Sequence, residues 1–547
     1  MKLRYALLFL FSLLMTASGL ATLPPLDRDE PRFTQATKQM VESGDYVDIR
    51  FQETPRYQKP IGIYWLQAAA VTLSGQGQEA PIWIYRLVSA LAVAIAVVAI
   101  AWTGTNLFGA NAGIAAGLVL AAIFATAFEG RDAKTDAALL ACCVAAQGAL
   151  AQIYLASRRN QAVPAHLPWI FWIAQGFGIL IKGPIALLLS VLTILSLLAF
   201  EREARWLARL KPLRGLALLV LIVAPWLVLI TLKSGASFWH GSVTNDLLEK
   251  AVPGGAPHWG PPGYYALTYS LFMWPFGLIA LGAELLAIGR ARQDYRLRFC
   301  LAWYVPFWLL FELIPTKLPH YVMPAYPGLI LLIGWLLTLS PEERATPMKA
   351  WQAWCWRAGA FGLGVVTLAI AVVAVGAPIY LDGRLSPWGI IAALAVLAAG
   401  YFAFARNDQI SLRRIAITTV SAGIAAALLF GIVIPSLTPI WMTPRIVDAV
   451  RAAKPCTGTV LASSEYHEPS LVFLLGTRTL LTNLRGAADH MAADPACALA
   501  LVPAPQGDEF AGQMIRRGVG VTRIATIDGY NFSSGDTLSL SLYRATP

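Results

Sequence analysis

Residues 26–33, LDRDEPRF, gather five charged side chains directly behind an apolar run: Asp27, Arg28, Asp29, Glu30 and Arg32. A carboxylate set among cations at the edge of such a run suits the joint handling of a phosphate and a hydroxyl. The cations offset the phosphate charge, and the acid orients the hydroxyl or takes its proton. Pro31 fits the first turn of a helix and Asp29 or Glu30 its N-terminal end, so capping of an amphipathic helix over 31–43 is the competing reading. Further groups of the same kind follow along the chain. RYQKPIGIYW (56–65) carries Tyr57 and Lys59, Arg131 precedes DAKTDAAL (132–139) with Asp132 and Asp136, and GILIKGPIAL (178–187) carries Lys182. PHWGPPGYY (257–265) holds His258, and IPTKLPHYVMPAYP (314–327) holds Lys317, His320 and Tyr321. Lys182 and Lys317 have a simpler reading as snorkelling cations, and His320 and Tyr321 as interfacial anchors.

These groups need elements to position them, and composition says what kind. Of 547 residues 57% are apolar and 13% charged, with a mean hydropathy of +0.60. Soluble domains carry about 25% charged residues, so most of this chain is solvated by lipid. Apolar runs long enough to cross a bilayer fall at 5–23, 82–102, 108–128, 136–157, 167–181, 183–200, 213–232, 264–288, 297–314, 320–339, 356–377, 387–405 and 414–435. About thirteen spans are therefore expected, the pair around Lys182 being the weakest because only KGP separates its members. The first run has features of a signal peptide in Lys2, Arg4 and TASGLA. Retention is expected, because the charge cluster follows at once and needs an anchor.

The net charge of +11 is that of a membrane protein with basic cytoplasmic loops. No basic run with interleaved aromatics lies outside the membrane loops, so no nucleic-acid partner is expected. With the N-terminus inside, SRRN, EREARWLARLK, GRARQDYRLR, SPEERATPMK and RNDQISLRR all fall in cytoplasmic loops, and each carries Lys or Arg. The segments 24–81, 129–135 and 233–263 then lie outside, yet they too hold Lys and Arg. Cations kept on the wrong face call for an anionic ligand.

Residues 1–440 are thus expected to form the membrane-embedded catalytic domain, and residues 441–547 an outer α/β domain. In the outer domain TGTVLASS, CALALVPA, GVTRIATI and TLSLSLYRA read as strands, and EPSLVFLL and QMIRRG as helices. Cys142, Cys143, Cys300 and Cys355 lie in or beside apolar runs as small hydrophobes. Cys456 and Cys497 lie in the outer domain, where a disulfide would persist and stabilise by roughly 3–4 kcal/mol; two unrelated thiols are the alternative.

DEPRF, SGDY, RYQKPIGIYW, DAKTDAAL, GILIKGPIAL, FWHGSV with PHWGPPGYY, and IPTKLPHYVMPAYP, in this order over about 5–335, resemble the GT-C glycosyltransferases. The similar branch uses polyprenyl-phosphate sugars and is typified by the aminoarabinose transferases of lipid A. The resemblance implies a polytopic helical GT-C fold and an acid at Asp29 in the first outer loop. It implies a second-loop acid at Asp136, with Asp132 one turn earlier in reserve. Arg32 and Lys59 are implied to contact the carrier phosphate, and Lys182, Lys317, His320 and Tyr321 to face the same cavity. Glu30, Tyr57, Arg131, His258 and, loosely, Glu249 complete the implied substrate-binding set. The family's Glu before the Lys of EKP, implied to bind a divalent metal, is Gln58 here, which weakens the one cofactor the resemblance suggests.

The expected activity is inverting transfer of one sugar from an undecaprenyl-phosphate donor to lipid A or lipopolysaccharide at the periplasmic face of a bacterial inner membrane. Aminoarabinose, galactosamine, glucosamine and a uronic acid all stay open as the sugar. A protein O-mannosyltransferase-like enzyme and a transporter of lipid-linked glycans are the rivals. The transporter fits less well, because paired repeats and mid-bilayer breaks are its signature, whereas the charges here cluster at one face.

Overall fold

The computed structural model describes residues 2–242 and 258–546. Its first half runs α1 (Lys2–Ala17), α2 (Glu30–Ser43), α3 (Gly62–Ser74), α4 (Ile82–Phe108), α5 (Ala110–Ala122), α6 (Phe124–Glu129), α7 (Asp136–Arg158), α8 (Leu167–Lys182), α9 (Ile185–Glu201) and α10 (Pro212–Ser234). Every apolar run is occupied by a helix or a broken helix. The run 264–288 breaks into Tyr264–Phe272 and Gly277–Arg290, and the run 320–339 into a 3-10 turn, Pro319–Ala325, and a helix, Tyr326–Leu336. The weak pair around Lys182 is two helices, α8 and α9, turning at Gly183 with φ 66°, a left-handed angle that glycine adopts without strain.

Among the described residues five helices are long and apolar enough to cross a membrane by themselves. They divide by surroundings. The apolar windows of α4 and α7 are 72% and 78% buried, whereas those of α10 and Ala350–Asp382 are each 22% buried. The chain is a multi-pass membrane protein in which α4 and α7 form the centre and α10 and Ala350–Asp382 present apolar faces to lipid. Helix α7 carries an ionic network at each end. At the Arg158 end Glu201 accepts from Arg298 (2.8 Å) and lies 3.4 Å from Arg158, with the Tyr154 hydroxyl donating to the same carboxylate. At the Asp136 end Lys182 donates to Asp136 at 2.5 Å. With a rise of about 1.5 Å per residue the two networks stand roughly 33 Å apart, close to the thickness of a bilayer's hydrocarbon core.

The C-terminal region carries a five-stranded mixed sheet in the order β4-β3-β5-β7-β6, formed by β3 (Leu461–Ser464), β4 (Leu480–Thr482), β5 (Leu499–Pro503), β6 (Val521–Tyr530) and β7 (Thr537–Ala545); a hairpin between α2 and α3 supplies β1 (Arg50–Phe51) and β2 (Thr54–Pro55). β3 runs parallel to β4 and β5, while β7 runs antiparallel to β5 and β6. The four strands read from sequence are present, and β4 and the helix Leu484–Ala493 are additions to that reading. Cys456 and Cys497 form a disulfide with their Cα atoms 5.5 Å apart, closing the approach to β3 against that to β5.

This sheet domain rests on the segment between α1 and α3. Asp27 is pressed between them, and burial pushes its carboxyl from 3.8 up to about 7, the Ser470 hydrogen bonds opposing and Glu468 adding to the rise. A carboxyl raised in the folded state stabilises fully below its unfolded value, and that contribution is lost as pH climbs through the folded value. Between pH 4 and 8 the Tm of the purified protein should therefore fall, and it should fall less in Asp27→Asn. Parallel slopes in the two proteins would remove Asp27 from the pH dependence.

Candidate active site

Two neighbouring acids in DEPRF take opposite directions. Asp29 occupies the N-cap position of α2, but its side chain makes no capping hydrogen bond and is exposed. Its backbone carbonyl alone accepts from Arg32 and Phe33. Arg32, one turn on, is exposed on the same helix. Glu30 points inward and is 1% exposed. Its two oxygens each accept at 2.7 Å from Arg86 of α4, and they also take the amide protons of Leu26 (2.8 Å) and Ala133 (2.9 Å). Arg86 in turn donates to the carbonyls of Leu20, Leu23 and Pro24. Glu30 is thus a lock joining the loop after α1, α4 and the loop between α6 and α7. In this structure the Glu30 carboxylate, expected on the substrate side, is taken up by partners inside the protein. The helix of the competing reading is present as α2, with Pro31 in its first turn and Glu30 at its N-terminal end, but with no side-chain capping bond.

The loop between α6 and α7 and three other elements build an ionic cluster within electrostatic reach of Asp29. Asp136 heads α7 and binds Lys182, the last residue of α8. His320, on the turn Pro319–Ala325, lies between two acids, with Nε2 3.7 Å from Asp136 and Nδ1 3.9 Å from Glu129. Lys182 sits 5.3 Å above the Tyr321 ring, and Tyr321 packs edge-on against His320. Asp29 is near enough for its charge to act on His320. Asp132 pairs with Lys134 at 2.7 Å. Burial pushes Glu129 up to about 8 and Asp132 up to about 7, with Lys134 pulling both back. Glu129 Oε2 and Asp132 Oδ1 have no hydrogen-bond partner among the described residues.

Lys59 enters through α3. A Cβ at Gly62 would stand 2.7 Å from the Leu180 carbonyl, so only glycine lets the start of α3 lie on the end of α8. That contact sets the KPIG turn against the helix end bearing Lys182. Lys59 Nζ donates to the Gln58 carbonyl at 2.7 Å. Tyr57 is buried, donating to Asp48 at 2.8 Å and packing edge-on against Phe238.

Other expected residues hold the frame. Arg131 is 1% exposed and donates to the carbonyls of Ser18, Ala127 and Met15 under the Phe430 ring. Its guanidinium, expected on the substrate side, is bonded within the fold in this structure. Lys317 donates to the carbonyls of Glu312 and Ile314 at the end of the helix Tyr295–Leu313, and its amide binds the His258 carbonyl at 2.9 Å. It therefore pins the returning loop and is not a snorkelling cation. His258 is exposed with φ 67°. Glu249 lies outside the described residues.

Comparisons with known proteins bear on the fold that carries these residues. Residues 58–229 match the dolichyl-phosphate-mannose-protein mannosyltransferase family. The undecaprenyl phosphate-alpha-4-amino-4-deoxy-L-arabinose arabinosyl transferase of Aeromonas salmonicida is 27% identical over 413 residues, 73% of this chain and 71% of that protein. The enzyme of that name from Aeromonas hydrophila is 26% identical over 483 residues, 84% and 83% of the two chains. The crystal structure of ArnT from Cupriavidus metallidurans bound to undecaprenyl phosphate superposes with a TM-score of 0.75 at 18% identity, over 98% of each chain. The chain has the GT-C fold.

Within that GT-C frame, sequence reasoning missed Glu129 and Arg86. Acids recur at 129, 132 and 136, a helical spacing that was available as a signal. Arg86 is a lone cation inside an apolar run, and such a cation has a partner by default. Gln58, the residue at the position of the family's metal-binding Glu, is held by a neighbouring cation. Gln58 Oε1 accepts from Arg56 at 3.0 Å, so the oxygen that would face a metal already faces a cation. Among the described residues no group of three His, Cys, Asp or Glu side chains is placed to hold one.

Proposed function

We propose that this chain is a glycosyltransferase that moves a single sugar, aminoarabinose or a relative of it, from an undecaprenyl-phosphate donor to lipid A at the periplasmic face of the inner membrane. The observation that carries this reading is the exposed, uncapped Asp29 carboxylate one helical turn from Arg32 and within electrostatic reach of the Asp136–Lys182–His320 cluster. The aminoarabinose transferases similar over most of the chain, and the undecaprenyl phosphate bound to a protein of the same fold, supply the substrate class.

The chemistry follows from charge. The bond between the anomeric carbon and the carrier phosphate breaks, and the phosphate leaves as an anion. Arg32 and Lys59 offset its growing charge, which counts for most where water is excluded. The acceptor oxygen attacks from the opposite face and inverts the anomeric carbon. A hydroxyl acceptor gives its proton to Asp29, whereas a phosphate acceptor has none to give and is only oriented. The match of 58–229 to the protein mannosyltransferase family supports a second reading, with a peptide hydroxyl as acceptor. Purified protein given labelled donor and either lipid A or peptide separates the two, and labelling of peptide alone would overturn the lipid reading.

Lys59→Ala should raise the donor KM at least fivefold, and Gln58→Ala by less than twofold, because only the lysine brings a charge to the phosphate. Equal, small effects would remove Lys59 from the donor site. Gln58→Glu tests the metal separately, with chelator sensitivity expected only in that variant.

A further inference from the structure

We infer that the C-terminal sheet domain is a positioning element of the active site, and that it acts on Asp29 through Asp27 and Arg28. This rests on the proposed role of Asp29. The Asp27 carboxylate accepts the Ser470 amide at 3.0 Å and the Ser470 hydroxyl at 2.6 Å. Behind Ser470 the hydroxyls of Thr443 and Tyr466 follow one another at 2.7 Å, all three residues being buried in the C-terminal domain. Arg28 adopts φ 83°, a left-handed angle that costs a non-glycine residue strain. Its guanidinium donates to the Ser533 carbonyl in the turn between β6 and β7, and Ser533 is tied to Glu468 at 2.7 Å.

The loop is therefore gripped on both sides of Asp29. Residues 27 and 28 are held by the C-terminal domain, and residue 30 is held by Arg86 in the membrane part. Asp29 alone in this stretch keeps an exposed acid with no capping bond. Helix α2, which Asp29 heads, is docked onto the same domain: Lys38 donates to the Phe473 carbonyl at 3.2 Å and Gln35 to Thr477 at 2.8 Å. Gln52 in the following hairpin donates to the Thr477 and Thr479 carbonyls. Such bracing fits a group whose displacement by about 1 Å would cost on the order of a hundredfold in rate. Neither Asp27 nor Arg28 needs to touch substrate; both fix where Asp29 stands.

The test uses the full-length protein in detergent. Ser470→Ala removes one hydroxyl that has no part in the proposed chemistry, and Ser470→Thr restores it. Ser470→Ala should lower kcat about tenfold with the donor KM within twofold of wild type and Tm nearly unchanged, and Ser470→Thr should recover most of kcat. Amide hydrogen exchange over residues 28–33 should speed up in Ser470→Ala and return in Ser470→Thr. Unchanged exchange there would overturn the inference, whether or not the preparation transfers sugar. Faster exchange with unchanged kcat would overturn it too, as would a loss of kcat that merely tracks a fall in Tm. Wild-type protein that shows the expected exchange pattern but transfers no sugar would instead count against the proposed function.

Discussion

Asp29→Asn removes transfer while the protein is made, inserted and purified as wild type. The change keeps the size of the side chain and takes away only the charge and the ability to hold a proton. Asp29 makes no capping bond and is exposed, so little of the fold depends on it. The expected loss is at least tenfold in kcat, equivalent to about 1.4 kcal/mol of barrier, and larger if the acceptor is a hydroxyl whose proton must leave. Steady-state transfer with labelled donor, beside a Tm measurement, decides it. More than a tenth of wild-type turnover at an unchanged Tm would take Asp29 out of the chemistry.

Glu30→Ala, one residue on, should give the opposite pattern. Arg86 is then left as a buried cation without a counter-charge, and the amides of Leu26 and Ala133 lose their acceptor. Breaking a buried pair by removing one partner costs about 3–5 kcal/mol. The variant should aggregate in detergent or melt far below wild type, with transfer falling in step with the folded fraction. Arg86→Ala should behave the same way. A Glu30→Ala protein with native Tm and no turnover would return Glu30 to the substrate side.

The adjacency of these two acids shows where sequence reading stops. Both were visible as charges at a membrane edge, and their order was legible in DEPRF. What separates them is the phase of the first helical turn and an arginine 56 positions away, and neither is written locally. The apolar runs were legible because lipid rewards apolar side chains whatever the backbone does. The breaks near Met273 and before Tyr326 were overlooked because apolar content alone set the runs, although Pro275, Pro319 and Pro324 mark them. Strand β4 escaped notice at three residues, held in place by parallel pairing with β3 and not by its own pattern. The Cys456–Cys497 pairing could be anticipated because both thiols lie beside strands, and those strands are neighbours in the sheet.

The two charged networks at the ends of α7 have a consequence for the bilayer itself. Each anchors a helix end to several neighbours, Asp136 with Lys182 and His320 at one end, Arg158 and Arg298 with Glu201 at the other. Neither end can slip a turn inward without dragging ionised groups into hydrocarbon. The central helix is therefore a fixed-length post, and a membrane of unequal thickness must do the adapting, by stretching or thinning at modest cost per ångström. Reconstituted into vesicles of graded acyl-chain length, the enzyme should have a preferred thickness.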